Sequence, residues 1–132
     1  MDQVADLRSG EKVTLAKIAT PSVLRLVIVD PDRKVSEAAL INPRLREEDL
    51  LIVIRQSNVP VGLLEEVAAS HRWSANYAVR RELVLQSRTP LAVALAQLSS
   101  LIARDLLRIA DTDGLAPLIQ RAALRVAREG AP

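Results

Sequence analysis

The chain has one histidine, one tryptophan and one tyrosine, and these three, His71, Trp73 and Tyr77, stand together with Arg72, Asn76, Arg80 and Arg81. Trp, Tyr and Arg are the usual anchors of protein interfaces. A guanidinium beside an aromatic ring also suits phosphates and stacked bases. Arg72, Trp73, Tyr77, Arg80 and Arg81 are therefore the candidate partner-binding residues. On a helix starting near Ser74, residues Asn76, Tyr77 and Arg80 share a face. A structural reading competes with this one: Trp73 plugs a widened seam between helices, and Asn76 binds loop backbone.

Catalysis finds less support in the same residues. A histidine base needs a nucleophile and an orienting carboxylate, and no local motif supplies them around His71. Ser70 and Ser74 read as helix-end residues. Without cysteine there is no disulfide, thiolate metal site or thiol nucleophile. The paired carboxylates Glu47-Glu48-Asp49 and Glu65-Glu66 are the other candidates. Glu47 and Glu48 fall in a first helical turn, where negative charge favours the helix dipole. Asp30 with Asp32, and Asp111 with Asp113, have the spacing of partial calcium loops but lack the remaining ligands. The expectation is a non-enzymatic chain with no catalytic residue, no metal and no cofactor. Only a buried acid brought from a distant segment to His71 or Arg80 would change it.

A second basic group is Arg121, Arg125 and Arg128 on one stripe, with Arg104 and Arg108 on the preceding segment. It would meet phosphate or an acidic partner, or stay a solvated face. With 18 basic against 16 acidic residues, a net charge of +2 is not the footprint of a committed nucleic-acid binder.

The elements that must position these residues are short. The 132 residues are enough for one core, and the composition, 49% hydrophobic and 26% charged, is that of a globular chain. Aromatics make up only 2%, with no Phe, so Leu, Ile, Val and Ala must fill the interior. Thin aliphatic helices pack best under that constraint. Polar or proline-containing turns recur at Ser9-Gly10, Thr20-Pro21, Asp30-Pro31-Asp32, Asn42-Pro43, Asn58-Val59-Pro60, Thr89-Pro90 and Asp113-Gly114. Thr before Pro reads as a helix start, with Thr as the cap and Pro at the first position.

The segments between these marks predict helices over Glu11–Ala19, Pro21–Val29, Arg33–Ile41, Glu47–Gln56, Pro60–Ser70, Ser74–Gln86, Pro90–Leu98, Ala103–Ala110 and Leu115–Arg128. In the last, Leu115, Leu118, Ala122 and Val126 form one stripe and the arginines another. Val23–Val29 and Leu50–Ile54 are continuous apolar runs that also fit buried strands, which leaves an α/β fold as the alternative. No glycine-rich turn follows Asp30, as a parallel sheet with a phosphate turn would want.

Self-similarity favours helices. Val35, Ala39-Leu40 and Arg44 can be laid on Val79, Leu83-Val84 and Arg88. Asp49-Leu50-Leu51 recurs as Asp105-Leu106-Leu107, and Thr20-Pro21 as Thr89-Pro90. Units that alternate short helices and polar turns cannot bury their apolar faces alone, so they stack. The expected fold is all-α, a short α-solenoid of stacked helical hairpins in one domain, 1–132. Residues 1–19, around Val4 and Leu7, would form an N-terminal cap, 20–110 the degenerate repeats and 111–132 a C-terminal capping helix.

The stretch from Asp30 to Ala123 carries Asp30-Pro31-Asp32-Arg33, Ala39 to Leu45, Arg72 to Arg80, Arg88 to Leu95 and Arg104-Asp105-Leu106. Together these motifs resemble an uncharacterised bacterial family of HEAT-like or leucine-rich-variant helical-repeat proteins. The resemblance implies a bacterial, cytoplasmic α-solenoid and supplies no activity. Leu85-Gln86-Ser87-Arg88 departs from the family's Asn-Pro before Arg-Thr-Pro.

The functional expectation is an interaction scaffold or adaptor for a protein partner. The alternative is a nucleic-acid or phosphate-ligand module using Arg72, Arg80, Arg81 and Arg88. Open solenoid ends also allow a homo-oligomer. No apolar run approaches the ~20 residues of a membrane span, and Met1 to Gly10 lack an apolar signal core, so the expected location is cytoplasmic and off the membrane.

Overall fold

A computed structural model describes residues 8–130, which are helical with no strand among them. Ten α-helices follow in order: α1 Ser9–Ile18, α2 Pro21–Val27, α3 Arg33–Leu40, α4 Glu47–Ile54, α5 Val61–Ala69, α6 His71–Ser74, α7 Tyr77–Leu85, α8 Leu91–Gln97, α9 Ala103–Ala110 and α10 Pro117–Arg128. A 3-10 turn, Leu98–Ser100, joins α8 to α9. The N-terminal cap expected around Val4 and Leu7 lies outside the described residues. None of the described helices is long and apolar enough to cross a membrane.

Both ambiguous apolar runs are helical, apart from Ile28 and Val29 in the turn after α2. In α4, Leu50, Leu51, Val53 and Ile54 are buried while Ile52 faces out. That pattern follows the 3.6-residue period and not the strict alternation of a strand.

The helix expected over Ser74–Gln86 is α7, which starts at Tyr77, and a separate short helix, α6, precedes it, because polar side chains stop and restart the chain. Ser70 accepts from the Trp73 N–H at the start of α6, and Asn76 accepts from the Val79 N–H at 3.0 Å to begin α7. Asp32 does the same for α3 through the Lys34 N–H at 3.0 Å. The Thr-Pro starts work differently from the expectation. Thr20 holds the N-cap position of α2 without a side-chain capping bond, and the buried Thr89 hydroxyl has no hydrogen-bond partner. At these two sites the proline itself marks the start: Pro21 is at the first helical position, and the Pro90 carbonyl accepts from the Ala94 N–H.

Packing joins helices that are close in sequence. One row runs α1 on α3, α3 on α5, α5 on α7 and α7 on α9, while α2 packs on α4, α4 on α7, α8 on α10 and α9 on α10. The apolar interior forms two clusters that meet within α7: one from Ala16 to Leu83, the other from Val84 to Ala123.

Side-chain links between helices and turns keep to the same short range. Apart from the Gln120 bond to the Thr112 carbonyl, 8 residues apart, they run from Lys12–Asp30 to Leu40–Trp73, which is 18 to 33 residues of separation. Two of these links repeat. The Asn42 amide donates to the Ala16, Lys17 and Ala19 carbonyls at the end of α1, and its oxygen accepts from the Arg44 N–H at 2.8 Å. The Gln86 amide donates to the Ile54 and Gln56 carbonyls at the end of α4, and its oxygen accepts from the Arg88 N–H at 3.1 Å. The turn that departs from the Asn-Pro pattern therefore makes the same connections with a side chain one methylene longer.

Candidate interaction site

The five residues singled out in the sequence do not act as one surface. Trp73 is 3% exposed and its indole N–H donates to the Leu40 carbonyl at 3.0 Å. The ring fills the seam between α3 and α6, so it offers no face to a partner. Arg72 covers it, with the guanidinium 4.3 Å from the ring centroid, and donates to the Asn42 and Leu45 carbonyls at 2.9 and 2.6 Å.

Tyr77 is half-buried. Its hydroxyl donates to Asp105 at 2.5 Å and accepts from the Ile102 N–H at 3.1 Å, which ties α7 to the start of α9. Burial, then the hydrogen bond to Asp105, pushes the phenol pKa up. Arg81 lies 3.4 Å from Glu82 and 3.8 Å from Asp105. Arg80 alone of the five makes no side-chain hydrogen bond or ion pair among the described residues. Its Nε is buried without a partner and its guanidinium sits 6.0 Å from the Tyr77 ring centroid. Asn76, expected beside Tyr77 and Arg80, instead caps α7 and donates to Glu47 at 2.8 Å.

The structure adds four buried acids to which the sequence reading gave no role as a set: Asp49, Glu66, Glu82 and Asp105. Each meets an arginine from an earlier helix or its end. The pairs are Arg25–Asp49 at 3.7 Å, Arg33–Glu66 at 3.7 Å, Arg55–Glu82 at 2.8 Å and Arg81–Asp105 at 3.8 Å. A signal for them was present. Leu63, Glu66 and Val67, like Val79, Glu82 and Leu83, have the i, i+3, i+4 spacing of one helix face, which puts each acid on the apolar stripe.

A shallow groove of about 580 Å³ lies over α1, α3, α5 and α6. Val13, Ala38, Leu40 and Ala69 give it an apolar lining; Lys17, Lys34 and His71 stand around it, with Arg33 meeting the two acids Glu37 and Glu66. Ile41, 70% exposed, stands at its edge. His71 is thus a groove residue, and its side chain has no hydrogen-bonded partner among the described residues.

Glu66 also borders the groove. It accepts from the Ser36 hydroxyl at 2.5 Å, and burial outweighs this bond and Arg33 to raise its pKa. An acid whose pKa is higher in the folded chain than in the unfolded one destabilises the fold when ionised. Glu66→Gln is therefore expected to raise stability at neutral pH, because the Arg33 partner it loses is largely exposed and worth little. The gain should shrink as the pH falls through the raised folded pKa and be gone below the free-carboxylate value of about 4.3, at about pH 3 for example. Urea unfolding of both proteins at the two pH values checks this; a variant less stable at neutral pH contradicts it.

Among the described residues, no three His, Asp or Glu side chains gather as a metal site. No family model, curated protein or solved structure matches the chain.

Proposed function

We propose that the chain is a non-catalytic scaffold of stacked helical repeats, of HEAT-like or leucine-rich-variant kind, that holds a segment of a protein partner in the groove over α1, α3 and α5. The stacking is supported by the short-range links and by the matched roles of Asn42 with Gln86 and of Asp49 with Asp105. The groove carries the functional reading: an apolar lining beside Lys17 and Lys34, which meet no carboxylate among the described residues, fits a segment with apolar side chains flanked by carboxylates. Ser36, the hydroxyl nearest the groove's buried acid, is itself buried, which argues against a nucleophile there.

The nucleic-acid reading has less geometric support. Of Arg72, Arg80, Arg81 and Arg88, three already hold protein groups, since Arg88 donates to the Val59 carbonyl at 2.7 Å alongside the bonds of Arg72 and Arg81. A phosphate would have to displace them.

Selection of displayed random peptides on the full chain tests the groove. Peptides combining Leu, Ile or Val with Asp or Glu should be enriched. They should bind Ala69→Trp, which fills the groove from an exposed position, about tenfold or more weakly. Enrichment that is equal on the filled variant counts against the proposal.

A further inference from the structure

The arginine-to-acid pairs form a series along the chain. An arginine on one helix or its end reaches a carboxylate on a helix 24 to 33 residues later: Arg25 to Asp49, Arg33 to Glu66, Arg55 to Glu82 and Arg81 to Asp105. The last pair turns the acid of α9 inward to α7. On the opposite side of α9, Arg104, Leu107 and Arg108 are exposed, and on α10 so are Leu118, Arg121, Arg125 and Arg128. Among the described residues Arg104, Arg108, Arg121 and Arg128 meet no carboxylate, and Arg125 meets only Glu129 one turn along its own helix, at 3.0 Å. These arginines lack the cross-helix carboxylate that completes each earlier rung, Arg25 to Asp49, Arg33 to Glu66, Arg55 to Glu82 and Arg81 to Asp105.

Leucines accompany them. Leu107 is 48% and Leu118 45% exposed. Leu107, Arg121 and Leu124 line a trough of about 220 Å³ between α9 and α10. Five cations against Asp111 and Glu129 call for an anionic partner. Phosphates alone would leave the leucines uncovered, and a trough between two helices receives a third helix better than a flat surface does.

We infer that the outer face of α9 and α10 is a docking site for an acidic, leucine-bearing helix of another protein, which supplies the carboxylates of the next rung. A second copy of this chain fits poorly. Away from this face its exposed acids Glu11, Glu65 and Asp113 are scattered, Glu37 and Glu48 already pair with Arg33 and Arg46, and Glu47 accepts from the Asn76 amide. The inference shares with the proposed function the stacking of helices and uses none of the groove's residues.

The test uses the full chain and a synthetic helical peptide with Leu at i, i+4 and i+7 and Glu between them. Its Gln and Lys counterparts, phosphatidylserine vesicles and duplex DNA serve as the other probes. The Leu–Glu peptide should bind, and bind about tenfold or more weakly to Arg121→Glu/Arg125→Glu, to Arg104→Glu/Arg128→Glu and to Leu107→Asn. The Lys peptide should prefer the charge-reversed variants. Ala69→Trp should bind the Leu–Glu peptide like the parent, so that failure of the groove and failure of this face are read separately. Circular dichroism selects the folded variants, and two independent arginine pairs guard against loss of one. The inference is overturned if the Leu–Glu peptide does not bind, if it binds the Arg variants or the Gln peptide binds the parent equally well, or if only vesicles or DNA bind. Dimerisation abolished by Arg121→Glu/Arg125→Glu in light scattering overturns it as well.

Discussion

Trp73→Ala is expected to cost about 3–5 kcal/mol of folding stability, the range for truncating a large buried aromatic. The ring is buried between α3 and α6, so its removal leaves a cavity in an interior with no phenylalanine that could refill it. The Leu40 carbonyl loses its donor and Arg72 loses the ring it covers. Trp73→Phe separates the contributions: it keeps much of the volume but strips the N–H, and should cost about 1–3 kcal/mol. Urea unfolding followed by far-ultraviolet circular dichroism measures both, since the substitutions remove the only tryptophan fluorophore. An alanine variant within about 1 kcal/mol of the parent contradicts a seam role and returns Trp73 to the surface.

Asn42→Ala should have the second-largest effect, about 2–3 kcal/mol. The last carbonyls of a helix lack partners within it. At the end of α1 the Asn42 amide serves three of them, at 2.9, 3.2 and 3.3 Å, and Asn42 is itself buried, so water cannot easily replace it. Gln86→Ala removes the matching bonds at the end of α4, where the side chain is only half-buried, and should cost about 1 kcal/mol. Equilibrium unfolding in urea compares the two. If Gln86→Ala costs more than Asn42→Ala, burial does not govern these turn bonds.

The helices were legible because punctuation and the 3.6-residue period agree. Ala103–Ala110 has the bounds its pattern predicts, and most other ends shift by one or two residues, as fraying ends do. The break between α6 and α7 was not legible from the apolar pattern. It rests on Asn76 taking the Val79 N–H, and a lone Asn within a polar-aromatic stretch signals a cap only once its partner is known.

Composition singled out Trp73, Tyr77 and three arginines, but each of these side chains except Arg80 is held by carbonyls or acids 24 or more residues away, and none of them lines the groove. Such distant partners are invisible to local spacing. The groove was missed for the same reason: Lys17, Arg33 and His71 come from three helices, and only their packing brings them to one opening.

A partner segment seated in the groove over α1, α3 and α5 would be located by a heteronuclear NMR titration of the full chain with the tightest peptide from the display selection. The amides of residues 13–17, 33–41 and 66–71 should shift and saturate together, with Ala69→Trp abolishing the response. Shifts centred on α7 or on α9 and α10, with the groove unchanged, would contradict that placement.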